Sequence, residues 1–356
     1  MSLVALWLAL ALGFIVAWTG CGHDSTGTVR VVRNQLVDPQ GRPIRLLGVN
    51  RSGAEYACIQ GEGFFAGPTD ERAIAAMATW RINAVRLPLN EDCWLGINGA
   101  PARYSGSRYR AAIRNYVARL QKARLYVVLD LHWSGPGRER AGGQQPMADL
   151  DHSPAFWSSV GRAFKDDPAV LFDLYNEPYN VSWQCWRDGC VLPQGWRTAG
   201  MQTLVDAVRS SGASQPVIAT GPGWGSDLSS WLEYRPHDPA NQLAAGLHMF
   251  DDGSCTTLDC WRRSVAPVAR RVPVVATELG QKVCTAAFAD RFMNWADSAR
   301  ISYLGWSWNP SGCAAPALVH TWGGQPTAYG AEFRAHLFAL HAPPVPFARP
   351  SSTSPR

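Results

Sequence analysis

The stretch from Ala84 to Leu131 decides the fold. It opens with Ala84-Val-Arg-Leu-Pro-Leu89, continues through Tyr109–Arg124 and closes with Tyr126-Val-Val-Leu-Asp-Leu131. The two outer pieces are short apolar runs. The middle piece sets Ile113, Tyr116, Val117 and Leu120 at i, i+3, i+4 and i+7, one face of a helix. The unit reads strand, helix, strand. Strands apolar on both faces belong to a parallel sheet covered by helices.

The same alternation extends in both directions. Strand-like runs recur at Ile44–Val49, Val170–Tyr175, Val217–Thr220, Leu243–Met249, Val272–Thr277 and Ile301–Trp306. Helical stretches recur at Thr69–Arg81, which opens with the capping signal Thr-Asp-Glu, and at Met201–Ser211 and Phe288–Ala299. Eight strands alternating with helices predict an α/β fold, a (β/α)8 TIM barrel, for which roughly 250 residues is typical. Before the barrel, Val29-Arg-Val-Val and Ile44-Arg-Leu-Leu flank Asp38-Pro-Gln-Gly41, which reads as a short β-hairpin. No internal linker interrupts the pattern, so residues 29–341 are expected to form one domain.

Composition agrees. The chain has 356 residues, of which 46% are hydrophobic and 17% charged, too apolar for a disordered protein. Lys+Arg 33 against Asp+Glu 28 gives +5, but the charges are dispersed. No run of five or more like charges exists, so no nucleic-acid partner is expected.

Leu3 to Trp18 is an apolar run of 16 residues. That is short for a membrane span of ~20 residues and fits the core of a secretory leader. Trp18-Thr-Gly-Cys21 resembles a bacterial lipoprotein signal, with Cys21 as the lipidated residue. Three fates stay open: lipidation at Cys21, ordinary cleavage, and retention as an anchor helix. The expected organisation is a leader over 1–21, a polar tether over 22–28, the barrel over 29–341 and a Pro/Ser-rich disordered tail over 342–356. The expected location is secreted or cell-surface.

Of nine cysteines, removing Cys21 leaves eight, an even set that implies disulfides in an exported protein. All eight follow expected strands, so they are expected in loops at one end of the barrel. Pairing of neighbouring loops joins 58 with 93, 185 with 190, 255 with 260, and 284 with 313. No histidines stand at zinc spacing beside the close pairs and no phosphate loop is visible, so no metal or cofactor is expected.

In such a barrel, catalytic groups sit at the C-terminal strand ends. The fourth strand is followed by Asn176-Glu177-Pro178 and the seventh by Glu278-Leu-Gly280. Two carboxylates about 5–5.5 Å apart are the apparatus of a retaining glycosidase.

The chain resembles glycoside hydrolase family 5, the cellulase family. Seven landmarks stand in that family's order: Gly48-Val-Asn50, Val85-Arg-Leu-Pro88, Leu129-Asp-Leu-His132, Tyr175-Asn-Glu-Pro178, His248-Met-Phe250, Thr277-Glu-Leu-Gly280 and Gly305-Trp-Ser-Trp-Asn-Pro310. Pro88–Trp94 and Cys185–Cys190 are similar to a bacterial cellulase branch of it. The resemblance implies a retaining endo-β-glycosidase acting on β-1,4-glucan. Glu177 would be the acid/base and Glu278 the nucleophile. Asn176 would bond the sugar 2-hydroxyl and Arg86 would keep Glu278 ionised. His132 and His248 would line the subsite on the non-reducing side, with Trp306 as its floor. The family has Tyr where this chain has Phe250, so that hydroxyl on the nucleophile is missing. Mannanases, other β-glycanases and transglycosylases share the two glutamates. A carbohydrate-binding lipoprotein that has lost catalysis is the rival from another class. The partners expected are a polysaccharide and, through Cys21, a membrane; the chain is expected to be a monomer.

Bland readings stand beside the sharp ones. Trp306 and Trp308 alternate in facing, so one enters the site and the other packs outside, with Trp306 favoured inside. Trp94, Trp133, Trp183, Trp186 and Trp224 follow strands and either stack on sugars or cap the barrel. Trp80, Trp157 and Trp295 are expected in the core. Glu91-Asp92 is read as bonding either a loop or substrate. Asn50-Arg-Ser and Asn180-Val-Ser match the glycosylation triplet, and a glycan there would block the cleft.

Overall fold

The computed structural model describes residues 28–283, 285–312 and 315–341. The expected leader, the expected tail, Cys21 and the 284–313 pairing lie outside the described residues. Among the described residues no helix is long and apolar enough to cross a membrane.

Eight parallel strands close into a barrel: β4 (Leu47–Asn50), β5 (Ala84–Asn90), β6 (Tyr126–Trp133), β7 (Val170–Asp173), β8 (Val217–Thr220), β9 (Leu243–Met249), β10 (Val274–Leu279) and β11 (Ser302–Gly305), with β11 returning to β4. The predicted α/β barrel is therefore the observed fold. Asp70 caps the helix Glu71–Ala78, its side chain accepting from the Ala73 N–H at 2.8 Å. The helix Ser107–Lys122 buries Ile113, Tyr116, Val117 and Leu120, the face read from the sequence.

The expected N-terminal hairpin is present within a three-stranded antiparallel sheet of β1 (Arg30–Val32), β2 (Gln35–Val37) and β3 (Pro43–Ile44), with Gln35–Val37 rather than Val29–Val32 leading into its turn. The Asp38–Gly41 turn joins β2 to β3, its Gly41 N–H bonding the Asp38 carbonyl at 2.8 Å. Ile44–Val49 is not one strand. Ile44 pairs with Leu36 in the small sheet, whereas Leu47 starts the barrel, and between them the Leu46 N–H goes to the Ser302 hydroxyl. The helix Ser153–Phe164 carries Trp157, as expected of that residue, and buries Phe156, Trp157, Val160 and Phe164, with Pro154 accommodated in its first turn.

The interior of the barrel is layered. At the end beneath the small sheet, Ala84, Val128, Leu171, Ile218, Ala244, Val275 and Leu304 pack with Val29, Leu36 and Leu46 as an apolar plug. Two residues further along β5, β6 and β7 the inward positions become Arg86, Asp130 and Asp173, all fully buried. The barrel is thus closed at one end and polar toward the other.

Disulfides join Cys58 to Cys93, Cys185 to Cys190 and Cys255 to Cys260, three of the expected pairs. All six cysteines follow barrel strands, but only Cys190 and Cys255 lie in loops. The others sit on short helices: Cys58 on Ala57–Gln60, Cys93 on Glu91–Leu95, Cys185 on Trp183–Asp188 and Cys260 on Leu258–Cys260.

Candidate active site

Arg86 organises the polar end. Its Nε donates to Asp173 Oδ2 at 2.9 Å, Nη1 to Glu278 Oε1 at 2.7 Å and to Asn50 Oδ1 at 3.0 Å, and Nη2 to Asn176 Oδ1 at 2.8 Å. Nη2 also lies 3.1 Å from Asp130 Oδ1. Burial opposes the arginine's charge, but Asp130, Asp173 and Glu278 outweigh it and hold the guanidinium above its ordinary pKa. Burial pushes Asp130 and Asp173 up to about 6, against the pull of Arg86.

Glu278 reaches this cluster through a bulge. Val274 and Ala276 face the helices while Val275 faces the plug, so strict alternation would turn Glu278 outward. Between Ala276 and Glu278 the register with β9 slips, with Ala276 opposite Leu247 but Glu278 opposite His248. The extra residue, Thr277, turns Glu278 inward and Leu279 out. The Thr277 carbonyl is held by Asn50 Nδ2 at 2.8 Å.

Glu177 follows β7 and faces Glu278 across a cleft of about 720 Å³. An oxygen of each glutamate and a nitrogen of His248 lie within 4.8 Å of one another. His248 Nδ1 is 2.9 Å from Glu177 Oε1 and 3.6 Å from Glu278 Oε2. Burial lowers His248 and His132 to about 4, so both rings are neutral near neutral pH. Glu177, His248 and Glu278 are also the described residues that could gather around a metal ion. The guanidinium already bonded to Glu278 sets a fixed positive charge beside that position.

Burial raises both glutamates above the ordinary range. At Glu278, His248 and Arg86 oppose the rise and the Glu177 charge adds to it. Two like charges this close favour a shared proton. The direct guanidinium bond, with no cation hydrogen-bonded to Glu177 among the described residues, favours the anion on Glu278 and the proton on Glu177.

The structure brings all seven expected site residues together: Arg86, His132, Asn176, Glu177, His248, Glu278 and Trp306. His132 stacks on Trp306 with ring centroids 5.5 Å apart and planes 4° apart, and its Nδ1 meets Asp130 Oδ2 at 2.6 Å. His248 stands between the two glutamates and lines the same cleft as Trp306. Trp306 lines the cleft, while Trp308 is buried against Trp80 at 4.8 Å. Phe250 lines the cleft with no polar side-chain atom, so among the described residues the donors near Glu278 are Arg86 and the more distant His248. Gly280 is required beneath it, since a Cβ there would collide with the Phe250 ring.

Of the tryptophans expected in loops after the strands, Trp224 lies in one and enters the cleft, whereas Trp94, Trp183 and Trp186 sit on short helices and Trp133 ends β6. Trp224 is 50% exposed and stacks flat on Tyr179, centroids 3.8 Å apart. Trp94 and Trp186 are fully buried. Trp183 packs on Trp186 and Tyr234. Trp133 lines a separate hollow with Arg140. Trp80 and Trp157 are core, whereas Trp295 is half-buried against Trp261. Glu91 and Asp92 serve the loop after β6: Glu91 accepts from the Ser153 hydroxyl at 2.6 Å and Asp92 from the Ala141 N–H at 2.8 Å.

Sequence reasoning missed several lining residues. Ser226 and Ser254 meet at 2.8 Å on one wall, beside the ion pair of Lys282 with Asp252. Gly225 supports His248, because a Cβ there would stand 2.8 Å from the His248 Cγ. A cue existed for Gly225, which lies in the turn-rich Gly221-Pro-Gly-Trp-Gly225. None existed for the two serines.

The profile of Cellulase (glycosyl hydrolase family 5) matches residues 37–312. Endoglucanase CelA of Streptomyces lividans is 24% identical over 303 residues, 82% of this chain and 58% of that protein. Endoglucanase E-5 of Thermobifida fusca is 23% identical with the same coverage, so the chain spans about 58% of the length of these two relatives. A mannan endo-1,4-β-mannosidase of Streptomyces lividans is 24% identical over 319 residues, 85% of this chain and 72% of that protein. Among solved structures, a β-glucanase from Saccharophagus degradans in complex with cellotetraose superposes with a TM-score of 0.70 at 18% identity, covering 89% of this chain and 94% of that one.

Proposed function

The chain belongs to glycosyl hydrolase family 5, and on that premise we propose that it is a retaining endo-β-glycosidase cutting β-1,4-glucan, an endo-1,4-β-glucanase. The observation that carries this reading is the pair of glutamate oxygens within 4.8 Å, one of the two glutamates bonded to a buried arginine. Carboxyls this close match the retaining rather than the inverting arrangement and suit double displacement.

Glu278, kept anionic by Arg86, attacks the anomeric carbon. The bond from that carbon to the glycosidic oxygen breaks as Glu177 gives its proton to the departing oxygen. The product is a glycosyl ester on Glu278. Glu177, now a base, takes a proton from water as the water attacks the same carbon, which frees Glu278 and restores the original anomeric configuration. Asn176 bonds the 2-hydroxyl, His132 and His248 position the sugar, and Trp306 takes its apolar face.

The glucan reading is supported by the two endoglucanase relatives, while the mannosidase matches this chain equally well in identity. Reducing-sugar release from carboxymethyl-cellulose, mannan, xylan and laminarin tests it. Release from carboxymethyl-cellulose first is expected. Release from mannan alone would move the substrate to mannan, and release from none would favour a binding protein without catalysis.

Three disulfides fit an oxidising compartment outside the cytoplasm. We extend this to export, with a monomeric catalytic domain over 29–341 and a lipid anchor on Cys21. The mass of the mature N-terminus tests the anchor: a diacylglyceryl adduct on Cys21 supports it and an unmodified cleaved end refutes it.

A further inference from the structure

Asn176 does not stand alone at the edge of the cleft. Only 2% of it is exposed, and both ends of its amide are engaged. Its Oδ1 accepts from Arg86 Nη2 at 2.8 Å and its Nδ2 donates to Gln144 Oε1 at 2.9 Å. Reversing the amide would set N–H against N–H at the arginine and oxygen against oxygen at the glutamine, so the two neighbours together fix which end is which.

Gln144 is itself fully committed. Its Nε2 donates to the Gln145 carbonyl at 2.9 Å and to the Glu177 carbonyl at 3.2 Å. One side chain thus ties the Asn176 amide to the backbone of Glu177. The segment carrying it is pinned at both sides. Ala141 is held through its N–H by Asp92 and through its carbonyl by Asn90 Nδ2, at 2.8 and 2.7 Å. The Gln145 carbonyl accepts from the Tyr175 hydroxyl at 2.9 Å.

We infer that Gln144 is a positioning residue that turns Asn176 into a single-donor contact for a sugar hydroxyl beside the bond being cut. An amide nitrogen has two hydrogens. One is spent on Gln144, leaving one for substrate, and the oxygen is spent on Arg86. The substrate hydroxyl at that place must accept. This selects β-glycans bearing a free hydroxyl on the carbon next to the anomeric centre, and it rests on the glycosidase reading above.

The test compares an aryl β-cellobioside with its analogue lacking the 2-hydroxyl on the reacting ring. Gln144→Leu is expected to lower kcat/KM about tenfold on the hydroxylated substrate, the worth of one hydrogen bond, and mostly through kcat. It should cost the 2-deoxy substrate clearly less, only what is lost with the tie to the Glu177 carbonyl. In an Asn176→Ala background, Gln144→Leu should likewise cost clearly less than it does alone. Gln144→Glu keeps the acceptor oxygen and should retain most of the preference for the hydroxylated substrate at its own optimum pH. Equal losses on both substrates, or additive losses in the double variant, would overturn the assignment even with every variant folded. Wild-type protein that turns over neither substrate would defeat the glycosidase reading and this inference with it.

Discussion

The two ends of the barrel interior are built from the same strands, two residues apart, and have opposite chemistry. At one end Ala84, Val128 and Leu171 close the barrel with apolar side chains. At the other, Arg86, Asp130 and Asp173 fill equivalent inward positions with charge. Burying a methyl group is stabilising by itself, whereas burying a charge costs free energy unless partners offset it. Arg86 has those partners, with Asp130, Asp173, Glu278, Asn50 and Asn176 around it. The plug therefore serves stability. The polar layer serves the pair of glutamates and depends on its own completeness.

The largest expected effect breaks the polar end. Glu278→Ala should lower hydrolysis of a chromogenic cellobioside by at least about 10⁴-fold, because the nucleophile is gone. Activity near wild type would remove Glu278 from the reaction. Arg86→Met comes next. It leaves buried carboxyls without their cation and should destabilise the fold by about 3–5 kcal/mol, read by urea denaturation, as well as abolish turnover. Leu171→Ala, at the plug, should cost about 2–5 kcal/mol through a cavity while leaving the pH profile of the folded enzyme unchanged. A shifted profile in that variant would mean that the two ends are not independent.

A subtler effect concerns protons. Burial holds the Glu177 carboxyl above the ordinary carboxylate range. The acid form is needed for leaving-group departure, so activity should fall on the alkaline side as that proton is lost. An alkaline limb unchanged in Glu177→Gln, assayed on residual activity, would contradict the assignment. The smallest effect lies away from the cleft. Glu91 is buried beside Asp149, and burial, then the Asp149 charge, hold its pKa well above 4.5. The folded protein keeps that proton where the unfolded chain has lost it, so this group's contribution to stability falls as pH climbs from about 4.5 through the folded value. Glu91→Gln should flatten that decline in melting temperature as pH rises above about 4.5.

The contrast between the ends also explains what could be read from sequence. The strands were legible because their apolar runs are continuous. Glu177 and Glu278 were legible because strand ends concentrate chemistry in this fold and because the surrounding landmarks resemble one family. The bulge at Thr277 was not, since alternation alone turns Glu278 outward and only the register with β9 reverses it. Gln144 was invisible for a different reason. It stands in Gly142-Gly-Gln-Gln-Pro146, which carries no periodicity, and its partners Asn176 and Glu177 are more than 30 residues away along the chain. The cysteine pairs 58–93, 185–190 and 255–260 could be read because neighbouring segments of one barrel end must meet.

Covalent trapping tests the central claim most directly. An activated 2-deoxy-2-fluoro-β-cellobioside should glycosylate the nucleophile with loss of its activated leaving group and stall there as a glycosyl ester, because fluorine slows release. Peptide mass spectrometry should then find one added cellobiosyl group on the carboxylate of Glu278. A label on Glu177 or any other residue would contradict the account, as would no label from an enzyme that hydrolyses the unfluorinated cellobioside.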